Sequence, residues 1–281
     1  MEFKKLNNED LEIRLLLEGI YLKYGYDFRD YSQAHMKRRI LHRLSLSDLG
    51  SISEMQHRVI SDRCFFNVLL NDFSINVTEM FRDPLFYSTF RREVIPVLKT
   101  YPRIRVWHAG CSSGEEVYSM AILLKEEGLY DRAQIYATDF NRRVLDRARQ
   151  AIYPIEEVKR YTHNYQQAGG LASFSDYYIA GYNAVIFDKD LQEKVVFADH
   201  NLVTDSVFGE MHVIICRNVL IYFNRELQNK VLKLFYESLG EEGFLGIGIK
   251  ESLRFTEVAD KFTVISDKMK IYQRKMEAFK D

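Results

Sequence analysis

The stretch RVWHAGCSSGEEVYSMAILL, residues 105–124, decides the fold. It reads as a buried strand that runs into a glycine-containing loop and then opens a helix. Gly110 and Gly114 let the backbone approach a ligand closely, and the helix start offers unpaired N–H groups. A dinucleotide fingerprint would read GxGxxG. Here the glycines are four apart, and two acids, Glu115 and Glu116, begin the helix. Those acids would repel a pyrophosphate and tolerate a cation, or they are simply an acidic helix start favoured by the dipole. S-adenosylmethionine, with a sulfonium, an ammonium and no phosphate, suits them better than a nicotinamide dinucleotide does.

Outward from this stretch, short apolar runs alternate with amphipathic helices. The strands are Ile104–Ala109, Gln134–Thr138, Met211–Cys216 and Phe244–Ile249. Helices follow Gly114, Asn141 and Asn224. Alternating strands and helices predict an α/β fold, a doubly wound, mainly parallel, Rossmann-like sheet. Residues 177–197 (YYIAGYNAVIFDKDLQEKVVF) alternate and carry turn signals, which predicts a small β insertion. Phe262–Ser266 and Lys270–Arg274 read as a final hairpin.

Residues 1–75 read differently, as a small helical domain. Leu11, Leu15, Leu16 and Ile20 form one apolar series and Met36, Ile40 and Leu44 a second. Val59, Phe66 and Leu70 are assigned to a third helix. The expected division is thus 1–75, a helical substrate-docking domain, and 76–281, a cofactor-binding domain.

Composition sets bounds. The chain has 281 residues, 47% hydrophobic and 28% charged, and a formal net charge of −1. A nucleic-acid partner would call for a broad positive field, so none is expected. The three cysteines, Cys64, Cys111 and Cys216, form no CxxC pair, and no metal-ligand pattern is read. No stretch approaches the roughly 18 apolar residues of a membrane span. The first residues lack a signal-peptide pattern. A cytoplasmic protein without membrane insertion is expected.

The second parallel strand ends ATDFN, with Asp139 at its tip. An acid there is placed to hold ribose hydroxyls; the alternative is an N-cap for the helix near Asn141.

Five motifs now stand in order: SINVTEMFRDP (74–84), AGCSSGEE (109–116), ATDFN (137–141), HNL (200–202) and CRNVLIYF (216–223). Together they resemble the CheR family, which methylates glutamates on chemotaxis receptors with S-adenosylmethionine and releases S-adenosylhomocysteine. The resemblance implies that Asn76, Thr78 and Arg82 come from a linker folded over the cofactor. It implies that Glu116 and Asp139 hold the cofactor's polar ends beside Gly110, and that Asn201 and Leu202 flank the adenine. Arg217 and Asn218 complete the cofactor site, and Arg82 and Tyr222 serve catalysis. Two departures stand out. Val117 replaces a proline frequent after the GEE triplet, and Gly248-Ile249-Lys250-Glu251-Ser252 replaces a Gly-His-Ser-Glu.

The residues themselves agree in kind. Arg82 is a forked donor suited to a carboxylate, or forms a local ion pair with Asp83. Arg217 and Asn218 follow a strand's carboxyl end, where open α/β sheets bind ligands. His35, Arg38, Arg39 and His42 share one helix face at i, i+3, i+4 and i+7, opposite Met36, Ile40 and Leu44. That basic face suits an acidic helical protein substrate, such as a chemoreceptor cytoplasmic domain, and the two histidines should add charge below about pH 6.5. Nucleic-acid methylation is disfavoured because CRNVLIYF stands where an Asn/Asp-Pro-Pro-aromatic motif would be. The alternative from another class is a non-catalytic cofactor-binding signalling or scaffold module.

Overall fold

The computed structural model describes residues 7–74 and 77–276. Two compact units emerge. The first holds residues 1–75 and 221–228, and the second holds 76–220 and 229–281.

In the first unit lie α1 (Asn8–Tyr24), α2 (Gln33–Ser45), α3 (Ile52–Ser61) and α4 (Arg63–Phe73). Asn7 caps α1 by accepting from the Asp10 N–H, and Gly25 ends it in a left-handed conformation. The buried residues of α1 are Ile13, Leu16, Leu17 and Ile20, whereas Leu11 and Leu15 are exposed. The expected stripe is therefore rotated, because with six leucines and isoleucines between Leu11 and Ile20 several registers satisfy the helical period. The expected third helix is in fact two. The break falls at Asp62, whose extended backbone and side chain cap α4 through the N–H groups of Cys64 and Phe65. Tyr24 stacks on Phe66 at 3.8 Å and its hydroxyl donates to the Val59 carbonyl. Phe28 stands edge-on to both Tyr31 and Phe73. In α2, Met36 and Ile40 are buried, and Arg43 forms an ion pair with Asp72 of α4.

The second unit opens with α5 (Pro84–Glu93) and α6 (Ile95–Leu98). It continues through β1 (Ile104–Ala109), α7 (Glu115–Glu126), β2 (Ala133–Asp139), α8 (Arg142–Gln150), β3 (Ile152–Pro154) and α9 (Ile155–Gln167). Then come β4 (Tyr178–Ala180), β5 (Ala184–Phe187), β6 (Val195–Asp199), β7 (Met211–Cys216), α10 (Arg225–Ser238), β8 (Leu239–Ile247), β9 (Phe262–Ser266) and β10 (Ile271–Arg274). The division between units falls within α10.

Seven strands form the main sheet in the order β6-β2-β1-β7-β8-β10-β9. Pairing is parallel from β6 to β8 and antiparallel for β10 and β9. Strand order reverses around β1, the switch point at which doubly wound sheets bind ligands beyond the strands' carboxyl ends. Burial explains the mostly apolar strands: Val106, Val213 and Ile215 lie in the same core as α7, whose residues Val117–Leu124 are all buried. A helix apolar on every side belongs inside a protein. A second sheet, β3-β5-β4, is antiparallel. Residues 177–197 contribute β4 and β5 to it, while β6 departs to the main sheet. Among the described residues no helix is long and apolar enough to cross a membrane.

Candidate active site

The loop after β1 is tied to the end of β2. The N–H groups of Gly110 and Cys111 both donate to the Thr138 carbonyl, at 2.8 and 2.9 Å. Gly110 has φ +79°, and an added Cβ would meet Val219 at 2.6 Å; Gly114 has φ +92° and faces Ala148 at 2.9 Å. Both glycines are therefore required by the turn and by packing before any ligand is considered.

Asp139 sits at the carboxyl end of β2, buried, with 9% of its surface exposed. Its oxygens accept from the backbone N–H groups of Ser112 and Asn141, each at 3.0 Å, and Phe140 supplies a third backbone donor. The cap of α8 is Asn141, whose side chain accepts from the Arg143 N–H, so the capping alternative for Asp139 fails. An ionised carboxylate has about four acceptor positions, which leaves capacity for a ligand hydroxyl. Burial raises the Asp139 pKa to about 6, against the pull of those backbone donors. The backbone of His200 donates to the Asp139 carbonyl at 3.3 Å, which brings the HNL loop alongside. There Asn201 is folded on itself: its N–H donates to Asp205 and its side chain accepts from Val203. Leu202 is 8% exposed and offers an apolar surface.

The two acids that open α7 behave in opposite ways. Glu115 is buried, and burial raises its pKa to about 7 despite hydrogen bonds from Ser113. Burial also pushes Glu116 up, but the His108 hydrogen bond and the Arg217 charge outweigh it and hold the group below its ordinary value. The expectation that both acids meet a cation thus narrows to Glu116. Its Oε1 lies 3.0 Å from His108 Nδ1 and its Oε2 accepts from Arg217 at 3.1 Å.

Arg217 is a hub. Its side chain is 1% exposed. Beyond Glu116 it donates to Asp83 at 2.7 Å and to the Arg82 carbonyl at 3.0 Å, and it lies 4.3 Å from the Phe86 ring centre. Asp83 therefore pairs with Arg217, and Arg82 instead donates to the Val77 carbonyl at 2.8 Å. The loop carrying Arg82 is strained on both sides: Phe81 and Asp83 have φ of 51° and 54°, conformations rare for residues other than glycine. Its anchors are the Phe81 N–H to Ser119 Oγ bond at 2.8 Å and Pro84 at the first turn of α5. Asn218 takes φ 62°, a left-handed position that asparagine tolerates, and its N–H donates to Glu251 at 3.2 Å. Glu251 also accepts from the Gly248 N–H. The stretch that departs from the expected Gly-His-Ser-Glu thus keeps a buried acid that clamps the loop after β7.

Gly110, Asp139, Asn201 and Leu202 therefore cluster beyond β1, β2 and β6, while Glu116, Arg217, Asn218 and Arg82 cluster beyond β1 and β7. Thr78 is half-buried. Asn76 lies outside the described residues. Tyr222 groups with the first unit. There its ring stands perpendicular to His35 at 5.0 Å, and His35 Nδ1 lies 3.2 Å from Arg38. Arg38 and His42 are exposed, and Arg39 is half-buried. Burial, with Arg38 and Arg39 close by, lowers the His35 pKa. This corrects the expectation for His35, whose charge appears only below the ordinary imidazole range. His108, Asp83 and Glu251 were missed by the sequence reading. The signal for His108 was its place as a polar residue within the apolar stretch Val106–Ala109.

The donor set fits S-adenosylmethionine: Glu116, an acid held ionised, would take the ammonium, and Asp139, a partly satisfied carboxylate, would take a ribose hydroxyl. Comparison with known proteins agrees. Residues 76–271 match the family described as CheR methyltransferase, SAM binding domain, and residues 11–74 match its all-alpha domain. A Pseudomonas putida protein named as the methyltransferase Cher3 is 55% identical over 91% of this chain and 93% of its own length. Chemotaxis protein methyltransferase 2 of Pseudomonas aeruginosa is 31% identical over 84% of each chain. Chemotaxis protein methyltransferase 1 of Vibrio cholerae is 29% identical over 90% of this chain and 92% of its own. The chain belongs to the CheR family of S-adenosylmethionine-dependent methyltransferases.

Proposed function

We propose that the chain methylates glutamate carboxylates on an acidic helical segment of a chemotaxis receptor or related signalling protein. Relatives named as chemotaxis protein methyltransferases support this substrate class. The observation that carries the reading is the perpendicular contact of Tyr222 with His35, which joins a candidate catalytic residue to the basic face of α2.

The cofactor, when bound, supplies an electrophilic methyl group for in-line displacement. The chain's task is alignment. A glutamate side chain, with an ordinary pKa of about 4.3, is already ionised at neutral pH, so no general base is required. Holding two reactants in near-attack geometry is worth roughly 7–11 kcal/mol. Arg82 is the residue for this task. Its fork grips one carboxylate oxygen and leaves the other free to attack. Arg217 fixes Arg82 through the Arg82 carbonyl. In this reading residues 1–75 serve docking and residues 76–281 hold the cofactor.

The basic face is tested by reversing charge. Arg38→Glu with Arg39→Glu should raise the Michaelis constant for an acidic helical peptide about tenfold at low salt, since each exposed ion pair contributes up to roughly 1 kcal/mol and is screened as salt is added. Cofactor affinity should be unaltered. A salt series of initial rates reads this directly. The wild-type constant should climb with salt, while the variant's should stay nearly flat. Equal constants and equal salt slopes would remove α2 from docking.

A further inference from the structure

His108 is wholly buried in the strand that leads into the glycine loop, flanked in register by Ala137 of β2 and Ile215 of β7. Neighbouring side chains on a strand point to opposite faces. Trp107 takes one face, where it meets His200, Phe208 and Phe235 and donates to Thr138. His108 takes the other, where Nδ1 lies 3.0 Å from Glu116 Oε1. An ionised carboxylate only accepts, so Nδ1 carries the proton and donates. Nε2 is buried and has no hydrogen-bond partner. A buried polar atom without a partner is costly, so a histidine kept here for packing alone would be a poor choice beside any apolar side chain of its volume.

The geometry points to His108 as a positioning residue for the cofactor. Its Nδ1–H holds one oxygen of Glu116 while Arg217 holds the other, and the carboxylate is thereby fixed in the orientation that receives the cofactor's ammonium end. This rests on the reading of Glu116 as a cofactor residue. The grip has two jaws from two strands. His108 comes from within β1 and Arg217 from just beyond β7, so the carboxylate cannot rotate about its own bond without breaking a hydrogen bond. A side chain free to rotate would spend part of its time turned away from the ligand, and binding would carry the cost of ordering it. Arg217 alone would leave that freedom, because it reaches Glu116 through a single nitrogen, Nη1, while Nη2 is committed to Asp83 and the Arg82 carbonyl. The same hub therefore couples the cofactor carboxylate to the loop bearing Arg82, with His108 at the far end of the chain of contacts.

The test uses calorimetric titration of S-adenosylhomocysteine into the full chain, so that no turnover is needed. Asparagine puts its amide nitrogen one bond from Cγ, where histidine has Nδ1; glutamine puts it one bond further out. His108→Gln should raise the dissociation constant about tenfold, the worth of one hydrogen bond to a charged group, whereas His108→Asn should stay within about threefold of wild type. His108→Ala, which asks for no extra room, should match His108→Gln and makes the same comparison if glutamine is not accommodated. Glu116→Gln should weaken binding by itself, and His108→Ala added to it should have no further effect. Wild-type affinity in His108→Ala alongside weak binding in Glu116→Gln would overturn the role of His108 and leave Glu116 standing. Equal loss in the Asn and Ala variants would overturn it too, since donor position would then not matter. Wild-type affinity in Glu116→Gln would instead sink the underlying reading of Glu116.

Discussion

Arg82→Ala should lower methyl transfer to an acidic helical peptide by about a hundred- to a thousandfold, the usual cost of removing a group that orients charge in a transition state. Arg82→Lys should recover little of this, because lysine lacks the planar fork. Cofactor binding should fall far less than the rate, since Glu116 and Asp139 remain. The expectation follows from the placement of Arg82 between two left-handed residues, Phe81 and Asp83, in a loop held by Ser119 and Arg217. Strained backbone persists only where surrounding contacts enforce it. In the structure the guanidinium donates to the Val77 carbonyl. A lysine could keep that single bond but could not also grip a carboxylate. Single-turnover rates at saturating cofactor make the comparison. A lysine variant as fast as wild type would reduce Arg82 to a loop-holding residue.

The second large effect is on binding. Asp139→Asn should weaken S-adenosylhomocysteine by about ten- to a hundredfold, because a ligand hydroxyl loses an ionised acceptor. The pH dependence has a definite sign. Asp139 has a pKa raised to about 6 from 3.8, so above pH 6 it is a carboxylate and below it an acid. Wild-type affinity should fall as pH drops from 7 to 5, and the variant should show little of that slope. Folding stability runs the other way. A carboxyl group with a raised folded pKa contributes stability that is full below about 3.8 and is lost as pH rises through about 6. The difference amounts to roughly 3 kcal/mol by linkage at about 1.4 kcal/mol per unit. Without ligand, this part of the pH dependence of unfolding should be missing in Asp139→Asn. An unchanged ligand affinity at pH 7 would make Asp139 a brace for the loop at Ser112 and nothing more.

Much of this was written in the sequence where physics leaves few choices. β1 and β7 read correctly because a strand buried on both faces is mostly apolar, and the runs at 104–109 and 211–216 depart from this only at Arg105, His108 and His212. The final hairpin also read well. The first helix did not, because Leu11, Leu15, Leu16 and Leu17 satisfy more than one helical register and only packing picks the buried set. The break at Asp62 went unseen because the apolar spacing carries on across it, and the cap is a local hydrogen bond that periodicity does not weigh. β3 escaped notice because it is three residues long and ends in Pro154; it exists through pairing with Ile186, Val185 and Ala184. At the site, the motifs named Glu116, Asp139 and Arg217, but which charges neutralise which is a three-dimensional matter. Asp83 follows Arg82 in the chain yet pairs with Arg217, 134 residues away.

The central claim is that the accepting group is a glutamate carboxylate on an acidic helix, and the bond formed decides it. The purified chain should be given methyl-labelled S-adenosylmethionine and a helical peptide rich in glutamate, and the labelled product treated with mild base. A glutamate methyl ester should release its label as methanol, and the Arg82→Ala variant should yield almost none. Label that survives base, as an N-methyl group would, or label equally incorporated when every glutamate of the peptide is glutamine, would contradict the account.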